Sequence, residues 1–218
     1  MNMLGFQLNK NRTCGSHRSY SFELTLWASA ILLCNMTLPT SHISARLLLT
    51  SSALSGEWWR WLTHPFVHVS PYHLVLDASA FLSLYLTLPY RAGSIRLIAV
   101  LFCAMGSSLA AVSAGVLTQT AGFCGLSGVA HGLMAVVALD LAANKKGPPF
   151  IRQTGCISFV LLSAKSLVEA LSGNLVFDFV HPYSVGLPIA VCHAGGTLGG
   201  VLAYALFAFR TRLEGNHE

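Results

Sequence analysis

The feature that most limits what this chain can become is a succession of apolar runs, each close to a membrane crossing in length and separated by polar joints. They cover residues 22–38, 73–88, 94–117, 126–143, 151–171 and 186–209. A membrane helix needs about 20 apolar residues to cross ~30 Å of hydrocarbon. Inside lipid only a helix or a closed barrel satisfies its own backbone polar groups, and runs of this length point to helices. The balance of residues agrees: 54% are hydrophobic and 10% charged, with a mean hydropathy of +0.61. Ordinary soluble domains carry about 25% charged residues. Disorder, a coiled coil and a basic nucleic-acid-binding surface are therefore excluded. The expectation is an all-α membrane protein, a six-transmembrane-helix bundle over residues 22–209, with a basic N-terminal tail (1–21) and a short C-terminal tail (210–218). The formal charge of +5 and pI near 9.0 then face anionic lipid rather than nucleic acid.

The first run contains Ala28-Ser29-Ala30, a signal-cleavage pattern, but in its middle rather than after it, so an uncleaved first helix is expected. The long joint that follows carries Trp58, Trp59 and Trp61, residues that favour the headgroup level, which predicts an interfacial first loop. Cytoplasmic loops are enriched in Lys and Arg. Ten of the thirteen cations fall on one side: Lys10, Arg12 and Arg18 in the N-terminal tail, Arg91 and Arg96 at the second joint, Lys145, Lys146 and Arg152 at the fourth, and Arg210 and Arg212 in the C-terminal tail. Both termini are thus expected in the cytoplasm and the Trp-rich loop outside. The six cysteines form no CxxC pair and read as small buried hydrophobes.

Ionisable residues within a crossing are functional candidates: His73, Asp77, His131, Asp140, Lys165, Glu169 and His193. Ser127 joins them because Gly125-Leu126-Ser127-Gly128 opens the fourth run. A serine at a helix start has unpaired N–H groups beside it, which can hold a developing oxyanion, and the glycines allow close backbone approach. A simple helix cap is the competing reading. Two histidines are candidate bases. His131 lies one helical turn from Ser127. His193 precedes Gly196 and Gly200, a small-xxx-small seam that lets two membrane helices touch backbone to backbone, and spacing alone does not choose between them. His64 and His68 have i, i+4 spacing, but Pro65 stands where a zinc-protease motif needs Glu, so no metal or other cofactor is expected. His73 and Asp77 share a helix face and can both meet a carbonyl held at Ser127. Lys165 and Glu169 are expected to pair along one helix, and Asp140 to reach the interface; no chemical role is assigned to these three.

Together these features resemble the rhomboid family of intramembrane serine proteases. The carried motifs are Trp59-Arg60 in the first loop, His68, then His73-x-x-x-Asp77, Gly125-Leu126-Ser127-Gly128, and His193-x-x-Gly196-x-x-x-Gly200. The resemblance implies Ser127 as nucleophile and His193 as general base, a dyad without a carboxylate. It also implies an oxyanion hole from the Ser127 N–H, His73 and position 77. Trp59, Arg60 and His68 become structural supports, alongside Gly125, Gly128, His131, Gly196 and Gly200. Two residues depart from the family pattern, which usually has Asn at position 77 and Ala at 192. An ionised Asp cannot donate a hydrogen bond, whereas a protonated one can. Burial disfavours the charged form, so a neutral, donating Asp77 is favoured, the alternative being an ionised Asp77 that orients or charges His73 as the oxyanion donor.

The short chain and the sequence from Gly125 to Gly132 resemble the rhombosortase branch. That implies a multi-pass protein of a bacterial inner membrane that cleaves membrane-anchored proteins bearing a C-terminal Gly-Gly motif and a transmembrane helix. The competing readings are a catalytically inactive rhomboid-like binder of membrane proteins, and a small transporter using His131, Asp140, Lys165 and Glu169.

Overall fold

Helix ends in this chain follow local chemistry, and they set where the polar groups lie. The computed structural model describes residues 15–38, 44–120, 122–176 and 189–215. In chain order the helices are α1 (Gly15–Asn35), α2 (Ser44–Leu47), α3 (Arg60–Thr63), α4 (Pro71–Thr87), α5 (Gly93–Ser113), α6 (Val116–Gln119), α7 (Ser127–Ala143), α8 (Pro149–Ser172) and α9 (Val191–Gly215). Two short 3-10 turns, Ser51–Ser55 and His64–Phe66, complete the first loop. The described residues contain no strand beyond an isolated bridge between Leu49 and Phe123.

α4 starts as its sequence dictates: the Ser70 side chain accepts from the His73 N–H at 3.1 Å, and Pro71 occupies the first turn, where no N–H is needed. Pro149 opens α8 in the same way. α1 starts at Gly15, seven residues before the first apolar run, so it draws part of the expected tail into the helix. The rest of that tail and the end of the C-terminal tail lie outside the described residues. The third run, expected as one crossing over 94–117, is divided. α5 stops at Ser113, and Gly115 at φ +75° turns the chain into α6.

By length and composition α5, α8 and residues 191–208 of α9 are long and apolar enough to cross a membrane, and α7 is a shorter apolar helix. They pack through glycine. A methyl group on Gly196 or Gly200 of α9 would overlap the carbonyl oxygens of Gly128 or Gly132 on α7. On the neighbouring face, Gly195 and Gly199 meet the carbonyls of Gly106 and Phe102 on α5. Backbone thus touches backbone along both seams. Leu126, Val129, Leu133 and Val136 form the core with Phe81, Tyr85 and Cys103.

Polar ties fix the periphery. Arg96 has no exposed surface; its guanidinium donates to Glu23 on α1 and to the carbonyls of Tyr90 and Arg91, and lies 3.8 Å over the Tyr20 ring. It is an interior cation rather than the loop cation its position suggested. Asn35, at the end of α1, donates to the Phe66 carbonyl and accepts from the His68 N–H at 2.9 Å. The first loop is folded on Arg60, which donates to the carbonyls of Ala45 and Leu48 and pairs with Glu57. Trp59 Nε1 reaches the Arg46 carbonyl. Five cysteines, Cys34, Cys103, Cys124, Cys156 and Cys192, are unpaired among the described residues.

Candidate active site

Ser127 is the first residue of α7, entered through a turn that only glycine suits. Gly125 has φ +105°, and a Cβ there would lie 3.1 Å from both Asp77 Oδ2 and the His73 ring. The Gly125 N–H donates to the His64 carbonyl, which ties this turn to the first loop. Ala130 N–H closes the first α-helical bond to Leu126, so the N–H groups of Leu126 and Ser127 are left over, as at any helix start.

Both go to Asp77. Its Oδ2 accepts from Leu126 at 2.8 Å and from Ser127 at 3.0 Å. His73 Nε2 and His68 Nε2 stand 3.2 and 3.5 Å from the same oxygen. Oδ2 thus accepts from two backbone N–H groups and has two imidazole nitrogens beside it, which favours a carboxylate over the neutral, donating Asp77 expected from sequence. The physical reason is the partial positive charge of the α7 N-terminus, which the sequence placed near Ser127 without showing that α4 delivers an acidic group to it. As a consequence the Ser127 N–H, one of the expected oxyanion donors, is already engaged.

His193 lies in the first turn of α9, buried beside α7. The Ser127 hydroxyl has Cys192 Sγ as its partner at 3.9 Å, and no hydrogen bond joins it to His193 among the described residues. His131 bonds not to the hydroxyl but, through Nδ1, to the Ser127 carbonyl at 2.8 Å. The His131 and His193 rings stack in parallel, 3.9 Å between centroids and 7° from coplanar.

The expectation of a histidine without a carboxylate does not hold. Glu169 on α8 has no exposed surface, and its Oε2 lies 2.7 Å from His193 Nδ1. Lys165, one turn away, donates to Glu169 at 2.8 Å and to His131 Nε2 at 3.0 Å. The cost of a carboxylate within lipid, the argument against a third member, is offset because Lys165 supplies the compensating charge. The helical Lys165–Glu169 pairing expected from spacing is present, but its other face is turned to His193. The signal for Glu169 was in the sequence, as an acid inside an apolar run; its partner on another helix was not.

The donor atoms of His131, Glu169 and His193 lie within 4.8 Å of one another. The Lys165 ammonium, bonded to two of these three side chains, already supplies positive charge there. His64 and His68 serve separate partners. His64 bonds the Arg60 carbonyl and the Ser108 hydroxyl, at 2.8 and 3.0 Å, while His68 faces Asp77. Cys124, in the turn before Ser127, has its thiol pushed up to about 12 by burial and by the nearby Asp77 charge, which leaves it a poor nucleophile.

A bundle of long apolar helices that gathers ionisable groups and a helix-start serine inside defines an integral membrane protein with a polar site among its helices. Residues 55–210 match the family model described as Rhomboid domain, and the chain belongs to that family, whose members are in general intramembrane serine proteases acting on membrane proteins. Comparison with curated proteins and with solved structures gives no match.

Proposed function

We propose that the protein is an intramembrane serine endopeptidase, with Ser127 as nucleophile and His193 as general base. One observation carries this reading: the glycine seam presses α9 backbone-to-backbone on the first two turns of α7, and so holds buried His193 beside the turn that bears Ser127. In the reaction, Ser127 Oγ attacks the scissile carbonyl as His193 takes its proton. The resulting oxyanion is held by the Ser127 N–H and by His73. Collapse forms the acyl-serine and expels the amine, which receives the proton from His193; water then hydrolyses the ester, with His193 again as base. For the oxyanion to reach the Ser127 N–H, Asp77 must yield its own bond to it. Position 77 thus governs the hole rather than merely lining it.

The finer reading is six crossings with both termini in the cytoplasm of a bacterial inner membrane. The substrates are membrane-anchored proteins with a C-terminal Gly-Gly motif and a transmembrane helix, as in rhombosortases. No cofactor is required. A second reading, an inactive rhomboid-like binder, is favoured by the engaged Ser127 N–H and the absent Ser127–His193 bond. One experiment decides between them. Purified protein in proteoliposomes should cleave a Gly-Gly-tailed membrane substrate and react with a fluorophosphonate probe, while Ser127→Ala should do neither. Equal labelling of both proteins would remove the nucleophile, and with it the protease.

A further inference from the structure

Behind His193 lies a network of ionisable side chains that the dyad leaves without a task. Four side chains from three helices are joined end to end. His131 Nδ1 meets the Ser127 carbonyl at 2.8 Å, and His131 Nε2 meets Lys165 Nζ at 3.0 Å. Lys165 Nζ donates to Glu169, and Glu169 Oε2 lies 2.7 Å from His193 Nδ1. The remaining carboxylate oxygen, Oε1, accepts from Lys165 at 2.8 Å and from the Val176 N–H at 3.1 Å.

Donor and acceptor rules assign the protons. A lysine ammonium only donates, so His131 Nε2 is an acceptor. The His131 proton is then on Nδ1, where it is given to the Ser127 carbonyl. His131 is thereby held neutral. A carboxylate whose Oε1 accepts two bonds and whose Oε2 meets Lys165 is itself an acceptor. His193 must therefore carry a proton on Nδ1, and in its neutral form Nε2 holds the lone pair.

We propose that Glu169 is a positioning residue for the reaction: it locks His193 in the Nδ1–H tautomer with Nε2 free to take the Ser127 proton, and stabilises the imidazolium that forms. Lys165 cancels the Glu169 charge while the site rests. The neutral His131 ring, stacked on His193, presents a π face to the new cation, which strengthens the same state. The site is then a serine–histidine–glutamate relay built across α7, α9 and α8. The inference rests on the protease reading above, and deepens it.

Glu169→Gln keeps the size of the side chain but not the acceptor charge. Removing the equivalent acid in soluble serine proteases leaves geometry intact while the rate falls by about 10⁴. Fluorophosphonate labelling per folded protein should therefore fall by ~10²–10⁴. The acid limb of its pH profile should also move to lower pH, since the imidazolium loses its partner. The titratable groups facing His193 are Glu169 and Lys165 on α8, His131 on α7 and Cys192 on α9. Only the first is altered. A purely structural role would change the amount of folded protein and leave the limb in place. Labelling within threefold of wild type, with an unmoved limb, would overturn the assignment.

Should the variant not fold, the imidazole nitrogen spectrum of the wild-type protein decides, with His193 assigned by its loss in His193→Asn. Nδ1 should stay protonated from pH 5 to 10 while Nε2 alone titrates. A neutral His193 carrying its proton on Nε2 would overturn the proposal. Absence of labelling in the wild type would count against the protease instead, and a labelled wild type with an unaffected Glu169→Gln against Glu169 alone.

Discussion

Gly196→Ala tests whether the contact between α7 and α9 sets the site. The added methyl would fall on the carbonyl oxygen, carbonyl carbon and Cα of Gly128. All three are backbone atoms of a helix, and none can rotate away as a side chain would. On the neighbouring seam Gly195 and Gly199 already touch the backbone of α5, so α9 cannot slide aside without disturbing that contact. Restoring ordinary contact needs the α7 and α9 axes to separate by on the order of 1 Å, and overpacking of this kind costs about 1–3 kcal/mol. A displacement of that size between nucleophile and base lowers rate by roughly 10²-fold. Thermal unfolding in detergent together with fluorophosphonate labelling reads both effects. Leu198→Ala, on the exposed side of the same helix, is the control and should leave both nearly unchanged. A Gly196→Ala protein that melts and labels like wild type would refute the closed seam and the geometry derived from it.

Asp77→Asn replaces a charged acceptor with a neutral one at the N–H groups of Leu126 and Ser127. Its hold on them weakens by about 1–2 kcal/mol, which should lower the melting temperature. The same change frees the Ser127 N–H, so labelling should rise by about threefold to tenfold; a tenfold loss would show that the carboxylate assists the reaction instead of competing with the oxyanion. His64 lies in the first loop, where burial pushes its pKa down to about 4 against two favourable backbone contacts. Because the unfolded chain then takes the proton first, this stability is complete above about pH 6.5 and is lost as pH falls through 4, a contribution on the order of 3 kcal/mol. Melting curves between pH 7 and pH 4 should show His64→Gln losing less stability on acidification than wild type, and parallel losses would refute the assignment.

The sequence by itself determined whatever depends on neighbours along one helix. The apolar runs, the capped start of α4, the opening of α7 at Ser127 and the Lys165–Glu169 pair are all readable, because a residue and its fourth neighbour share a face in any helix. The glycines after His193 also announced a close contact. Only the tertiary structure decided which faces meet. Arg96 reads as a loop cation and becomes an interior partner of Glu23, because α1 is turned toward α5. Asp77 reads as a donor and becomes an acceptor, because α4 brings it to the free N–H groups of another helix. Glu169 reads as satisfied by Lys165, yet its second oxygen goes to His193, twenty-four residues on. The physical reason is common to all three. Helical period fixes directions about one axis, whereas the rotation of one helix against the next is set by what meets between them, as the glycine seams of α7 and α5 against α9 do.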